Sequence, residues 1–151
     1  MNIHREKIAV EETDYFMPYE PVVHVRAGGD LVFVSGATAL PLYHQHPHEH
    51  AKLNPPDDVR EQTRIVMDNL TRCLEAAGAT WSDVVRTDAF LTDMEDQDAI
   101  GAVMGEYFRG DFPASTWVEV KRLVDPRLKL EMSAIAVVPG REQGGDEGTG
   151  A

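Results

Sequence analysis

Apolar and polar residues alternate along several short segments of the chain, and this alternation predicts strands. The segment PVVHVRAGGDLVFVSG, residues 21–36, alternates on either side of a Gly-Gly-Asp break, which predicts two short strands joined by a tight turn. Three later segments, DVVRTDAFL, ASTWVEVKRL and LKLEMSAIAVV, have the same character, and KIAVEE near the beginning could add one more strand.

Two other segments carry apolar residues at helical spacing. The first lies between Asp58 and Gly78: Asp58 and Glu61 have the spacing of a capping box, and Gly78 is a typical helix stop. The second follows an acidic cluster that would complement the positive end of a helix dipole. Its apolar positions are Ile100, Val103, Met104, Tyr107 and Phe108.

The order of these elements predicts an α+β fold, with a mixed six-stranded sheet that carries both helices on one face. We expect residues 1–140 to form a single domain and the glycine-rich, acidic residues 141–151 to form a flexible tail. The sequence offers no third helix to cover the second face of the sheet. Self-association through that face is therefore expected.

The net charge of the chain limits the classes of partner that it can be expected to bind. The 151 residues carry a formal net charge of −12, with a pI near 4.8, which disfavours nucleic acid and anionic membrane surfaces as partners. The same charge disfavours a strongly anionic substrate unless a local cation offsets it. The first residues, MNIHREKIAVEE, lack the apolar stretch of a signal peptide, so we expect a cytoplasmic location.

Strand alternation assigns faces to the last two strands and brings out one acidic candidate. If the apolar sides pack under the helices, Ser115, Trp117 and Glu131 all face a partner subunit. A carboxyl group there is a candidate proton donor or acceptor, provided that no ion pair neutralises its charge. The alternative is an interface ion pair of Glu131 with Lys121, Lys129 or Arg127.

Five segments resemble a known family. LVFVSG, EQTRIVMDNLTRCLEAAGATWSDVVRTDAFLTDM, MGEYF, FPASTWVEV and LKLEMSAIAVV occur in the order and spacing of the RidA/YjgF family, over about residues 20–139. The resemblance implies a homotrimer whose sheets line a central barrel, with active sites in the clefts between subunits. It also implies hydrolysis of enamine and imine intermediates to ketoacids and ammonia, without a metal or an organic cofactor.

Several positions of the family's site differ in this chain. The family's catalytic arginine follows Pro-Ala or Pro-Thr at the start of the penultimate strand, where this chain has Ser115. Gly101 stands where an asparagine opens the second helix, Trp117 where a small residue is usual, and Val22 where an aromatic residue is usual. A serine cannot reproduce the bidentate grip of a guanidinium on a carboxylate. Arg26, Arg109 or Arg122 could supply a cation from another direction.

Two positions of the family's site are retained, Ser35 in VSG and Glu131 in LEM. The resemblance assigns to Glu131 the positioning or activation of the attacking water, which makes Glu131 the catalytic candidate. His24, on an early strand, is a further candidate, with a core or interface histidine as the alternative. The substrate-binding candidates are Ser35, Ser115, Trp117, Val22, Gly101 and His24.

These differences favour a neutral or cationic small-molecule substrate. We therefore expect a homotrimeric enzyme that acts on an imine, an enamine or a related reactive carbonyl intermediate, by C=N hydrolysis or by an adjacent dehydration or condensation. The alternative is a trimer of the same fold that binds a small molecule without catalysis. RNA cleavage, an activity of some relatives, is disfavoured by the acidic surface.

The segment YHQHPHEH places histidines at every second position: His44, His46, His48 and His50 are four of the six in the chain. An extended segment with this spacing would direct the four rings to one side. Three interpretations follow: a lid over the cleft that supplies an acid–base imidazole, a polar loop without chemistry, or a metal site. Because relatives need no metal, we expect none here.

Overall fold

The structure, a computed structural model, describes residues 5–8, 22–25 and 28–140, the first two ranges as backbone alone. The helices are α1 (Val59–Ala76) and α2 (Gln97–Phe108). The strands are β1 (Arg5–Ile8), β2 (Val22–Val25), β3 (Gly29–Ala37), β4 (Val84–Leu91), β5 (Ala114–Glu119) and β6 (Leu130–Pro139). The expected tail, residues 141–151, lies outside the described residues.

The main sheet has the strand order β3-β6-β4-β5, with β4 and β5 parallel and the other pairs antiparallel. The expected α+β fold with a mixed sheet is thus confirmed. The expected single sheet of six strands is not found, because β1 and β2 form a separate antiparallel pair in the part of the chain that the structure describes. The predicted pairing of β2 with β3 is wrong for the same reason. Gly28, at φ 122°, lies where the chain enters β3 in the other sheet.

Helix α1 begins and ends where the sequence predicts. The Asp58 side chain accepts a hydrogen bond from the Glu61 backbone N–H at 2.9 Å, and Gly78 follows the helix with φ 73°. A polar residue on the buried side also holds the helix in place: Gln62 donates to the carbonyl oxygens of Pro56 and Arg127 and accepts from the Lys129 N–H. Within the described residues, no helix has the length and apolar character needed to cross a membrane.

The core lies between the helices and one face of the main sheet. It includes Met67 and Leu70 of α1, Ile100 of α2, Leu91 of β4 and Met132 of β6, all fully buried. Each such side chain contributes about 1.5–3 kcal/mol through burial. The opposite face of the sheet retains large exposed apolar side chains, namely Leu31, Phe33 and Val118, which are 61%, 72% and 41% exposed.

Candidate active site

A cavity of about 650 Å³ opens between α2 and strands β4 and β5. Three of the expected substrate-binding residues, Gly101, Ser115 and Trp117, line it together. Met104 and Phe108 of α2 add apolar surface. The cavity is thus a concave, mainly apolar pocket with a few polar groups, which is the usual form of a small-molecule site.

Ser115 is the polar centre of this cavity. Its Oγ accepts a hydrogen bond from Thr87 Oγ1 at 2.9 Å and another from the Trp117 indole Nε1 at 2.9 Å. A serine hydroxyl accepts two hydrogen bonds and donates one. With both acceptor positions in use, Ser115 is left as a hydrogen-bond donor toward a ligand.

Thr87 is a site residue that the sequence interpretation missed. It is only 1% exposed and lies beside Ser115 in the parallel register of β4 and β5. A signal was present in the sequence, because Thr87 falls between Val85 and Ala89 on the side of β4 that the alternation makes apolar. A hydroxyl buried there needs a hydrogen-bond partner.

The cavity has little charge. Asp98 is the only ionisable residue among those that line it. Arg122 donates to the Leu123 carbonyl oxygen, and Arg109 caps the end of α2 in a left-handed conformation with φ 51°. Neither arginine lines the cavity, and Arg26 lies outside the described residues. A single chain therefore supplies no described cation for a substrate carboxylate at this site.

The expectation that Ser115, Trp117 and Glu131 share one face of the sheet is wrong. In the sheet register Ser115 lies beside Thr87 and Trp117 beside Ala89, on the face that packs under the helices. The alternation along β5 is as predicted, but the large indole rather than the valines turns toward the core, and Val118 is 41% exposed.

Glu131 lies on the opposite face, half-buried against β3. A bulge between Val34 and Ala37 leaves Ser35 and Gly36 out of the regular pairing with β6. A Cβ atom added at Gly36 would lie 3.1 Å from Cδ of Glu131 and closer still to its Oε1. The glycine thus makes room for the carboxylate, and Ser35 is exposed next to it.

The remaining expected residues fall on different parts of the molecule. Val22 and His24 belong to β2, where they pair with Ile8 and Glu6, but their side chains lie outside what the structure describes. Within the chain, the guanidinium of Arg127, one of the three residues named as alternative ion-pair partners of Glu131, binds Asp125 at 2.8 Å.

Three of the four loop histidines converge. One ring nitrogen each of His44, His46 and His48 lies within 4.8 Å of the others. Nε2 of His44 is 2.8 Å from Nε2 of His48, and Nδ1 of His44 is 2.7 Å from the Pro41 carbonyl oxygen. The pKa of His48 is lowered, mainly by partial burial and secondly by repulsion from the neighbouring rings. This cluster is the part of the described chain best suited to hold a metal ion.

The fourth histidine has a different partner. Nδ1 of His50 is 2.9 Å from Oδ2 of Asp125, a carboxylate that is only 1% exposed. The hydrogen bond from the Arg127 guanidinium is the main reason that the pKa of Asp125 lies far below its usual range, and the bond to His50 acts in the same direction. This contact spans 75 residues of sequence, and nothing in the residue pattern predicted it.

Comparison with known proteins identifies the family. The family model described as Endoribonuclease L-PSP matches residues 12–138. A RutC family protein of Pyrococcus abyssi is 36% identical over 119 residues, which cover 79% of this chain and 85% of that protein. The solved structure of YyfB, a Rid family protein of unknown function from Yersinia pestis, is similar with a TM-score of 0.72 at 27% identity, covering 89% of this chain and 98% of that chain. Rv2704 of Mycobacterium tuberculosis, of the YjgF family, gives a TM-score of 0.60 at 34% identity, covering 76% of this chain and 83% of that chain. Because these matches extend over most of its length, the chain belongs to the RidA/YjgF family.

Proposed function

We propose that this protein is an enzyme that hydrolyses the C=N bond of a neutral or cationic imine, or of the enamine in equilibrium with it. The observation that carries the proposal is a mainly apolar cavity with the Ser115 hydroxyl as donor, in a chain that also has a carboxylate, Glu131, on the opposite face of the sheet. The cavity would bind and orient the substrate, and the carboxylate would manage the proton of the attacking water.

The cavity and Glu131 lie on opposite faces of the same sheet, so one chain cannot present both to one substrate. In the proposed enzyme, Glu131 of one subunit acts at the cavity of a neighbouring subunit. The exposed Leu31 and Phe33 supply apolar surface for such a contact, on the face that carries Glu131. A homotrimer with sites between subunits, as the family resemblance implies, would meet this requirement.

The proposed reaction balances with water alone. The Glu131 carboxylate takes a proton from a water molecule, whose oxygen forms a bond to the imine carbon, and the same carboxyl group then gives that proton to the nitrogen, which yields a carbinolamine. Transfer of the remaining hydroxyl proton to nitrogen then breaks the C–N bond, so that a carbonyl compound and ammonia leave. Ser115 would donate to an acceptor atom of the substrate, while the Trp117 indole contacts its apolar part.

The lining of the cavity supports the choice of substrate class. Because Asp98 is the only ionisable lining residue, a substrate carboxylate would lose its hydration there without gaining a cationic partner in the described part of the chain. A neutral or cationic imine does not bear this cost. The activity proposed is therefore directed at imines other than those of small amino acids.

A trimer that binds a small molecule without catalysis is the alternative, and the replacement of the family's arginine by Ser115 favours it. RNA cleavage, which the description of the family model names, is disfavoured by the net charge of −12 and by a cavity without lysine or arginine. Cleavage of RNA at low salt in the presence of EDTA would support that activity, and its absence would dispose of it.

The test is release of ammonia and of the carbonyl product from freshly generated imines. The substrates are 2-aminoacrylate and bulkier imines without a carboxylate, and the enzymes are wild type, Glu131→Gln and Ser115→Arg. We expect wild type to accelerate hydrolysis of the uncharged imines and Glu131→Gln to lose about 10²-fold in kcat.

Equal rates for wild type and Glu131→Gln would overturn the catalytic role of the carboxylate. Binding of the carbonyl product by wild type, without any turnover, would favour the non-catalytic alternative. Activity on 2-aminoacrylate that appears only in Ser115→Arg would support the assigned substrate class, because the added guanidinium then supplies the missing partner.

A further inference from the structure

The histidine cluster, His44, His46 and His48, lies in the loop between β3 and α1. None of the residues that line the cavity belongs to this loop, so the described chain gives no support to a lid over the cavity. We propose that the histidine cluster is a binding site for one divalent transition-metal ion, with Zn²⁺ as the ion it takes most readily in a cell.

The distances fit such a site. The three ring nitrogens that approach one another lie within 4.8 Å, and Nε2 of His44 and Nε2 of His48 are 2.8 Å apart. Nitrogen ligands about 2.0–2.1 Å from a tetrahedral zinc ion are about 3.3 Å from each other. Binding would therefore require the nitrogens of His44 and His48 to move slightly apart and that of His46, the exposed ring of the three, to draw closer.

A hydrogen bond to the backbone orients the first ligand. His44 donates from Nδ1 to the Pro41 carbonyl oxygen at 2.7 Å, which directs the lone pair of Nε2 toward His48. Histidine ligands of metal ions usually donate their second ring N–H to an oxygen in this way. In the metal-bound state His48 would carry its proton on Nδ1.

The chain on both sides of the histidine cluster is fixed by buried contacts. Before it, the Leu40 side chain is 3% exposed, and its carbonyl oxygen accepts from Asn69 Nδ2 at 2.9 Å. After it, Arg127 donates to the carbonyl oxygens of His50 and Leu53, at 2.9 and 2.6 Å. A loop held at both ends loses less conformational entropy when its side chains gather around an ion.

The ligand type decides the class of ion. Mg²⁺ and Ca²⁺ take oxygen ligands, whereas three imidazoles suit Zn²⁺, Ni²⁺ and Cu²⁺. His50 stays outside the set, because only His44, His46 and His48 place a ring nitrogen within 4.8 Å of one another. Three protein ligands leave a fourth position of a tetrahedral ion open to water or to another ligand, as in catalytic zinc sites.

The experiment measures Zn²⁺ binding by isothermal titration calorimetry on the full chain without a histidine tag, treated with EDTA and dialysed into a weakly coordinating buffer. Visible absorption of bound Co²⁺ reports the geometry. The variants are His46→Ala, the triple alanine variant of the histidine cluster, His50→Gln and, as a matched control in the same loop, Gln45→Ala. Circular dichroism verifies that each variant is folded.

We expect one Zn²⁺ per chain in wild type and in Gln45→Ala, at least about tenfold weaker binding in His46→Ala, and no saturable binding in the triple variant. Co²⁺ should give the intense absorption of a tetrahedral site. Absence of saturable binding in wild type, or equal binding by the triple variant, would overturn the proposal. A loss of Zn²⁺ affinity in His50→Gln as large as that in His46→Ala would overturn the assignment of three histidine ligands.

Discussion

The indole of Trp117 donates a hydrogen bond to Oγ of Ser115, two residues earlier on the same face of β5, at 2.9 Å. Both residues lie at positions where the resemblance implies a departure from the family pattern. A third departure, Gly101, faces the same indole: a Cβ atom added there would lie 3.9 Å from Trp117 Cη2. The serine thus accepts from the indole, and the glycine lies against the same ring, where a Cβ atom would make only an ordinary contact.

Replacing Ser115 by alanine should disturb one indole and leave the other unchanged. The chain has two tryptophans, and Trp81 donates its indole N–H to Thr71 Oγ1 at 2.9 Å. In a ¹H–¹⁵N spectrum, Ser115→Ala should shift the indole signal of Trp117, and Thr71→Ala should shift that of Trp81. We expect Ser115→Ala to lower the free energy of unfolding by about 1–3 kcal/mol, because Trp117 and Thr87 lose their acceptor.

The same pair of variants separates the site from the rest of the fold. Ser115→Ala should lower kcat/KM for the hydrolysed imine about five- to tenfold through the loss of one hydrogen bond, whereas Thr71→Ala should leave kcat/KM unchanged. Unaltered kinetics in Ser115→Ala would exclude the serine from substrate binding.

The exposed apolar face of the sheet gives a second prediction. Phe33 is 72% exposed in the single chain, and Phe33→Asp places a charge on the face proposed to contact other subunits. We expect wild type to have the mass of a trimer in analytical ultracentrifugation and Phe33→Asp to dissociate to monomers. Tyr43→Asp is the matched control, since Tyr43 is 86% exposed but lies outside the sheet, in the loop between β3 and α1 that holds the histidine cluster. A trimer that survives Phe33→Asp would place the subunit contact elsewhere.

The contact of His50 with Asp125 gives a prediction on acid stability. The folded-state pKa of Asp125 is lowered from the ordinary value, chiefly by Arg127. The stabilisation from the ionised carboxylate is therefore complete above the unfolded-state pKa of about 3.9, and it is lost as the pH falls toward the folded-state pKa. Asp125→Asn should lower the free energy of unfolding by about 1–3 kcal/mol at pH 7, because the donors around Asp125 lose a charged acceptor.

Urea denaturation of wild type and Asp125→Asn at several pH values measures this effect. The difference between the two proteins should be constant from pH 7 to about 5 and should shrink below about pH 4. Glu49→Gln is the control, because Glu49 makes a surface ion pair with Lys52 that contributes about 0–1 kcal/mol. A difference that stays constant down to pH 3 would contradict the low pKa of Asp125.

The sequence predicted local features well and long-range features poorly. The capping pair Asp58 and Glu61 and the stop at Gly78 depend on residues a few positions apart, so the pattern fixed both ends of α1. Alternation could not predict the face of the sheet on which Trp117 lies, because it sorts the residues of a strand into two sides without showing which side packs against the helices. That choice depends on the register of β5 with β4, where Trp117 lies beside Ala89.

The histidine loop shows the same limit. Spacing alone predicted that four rings converge, but His50 instead binds Asp125, a residue far along the chain, while the other three gather. The resemblance to the RidA/YjgF family predicted the α+β fold correctly. It made no prediction for this loop, because the loop lies outside the matching motifs.

The close approach of Gly36 and Glu131 gives the final prediction. Gly36→Ala would press a methyl group against the carboxylate and move it, without touching the Ser115 cavity on the other face of the sheet. If Glu131 manages the proton of the attacking water, kcat should fall about tenfold with little change in KM, since general acid–base catalysis depends on the position of the group.

Gly140→Ala is the control, because a Cβ atom there makes only an ordinary contact, 3.6 Å from Asp30 Oδ1. The double variant Gly36→Ala/Glu131→Gln should be no slower than Glu131→Gln, because a carboxylate that is already absent cannot be misplaced. Additive losses in the double variant would show that Gly36 acts on the reaction by another route.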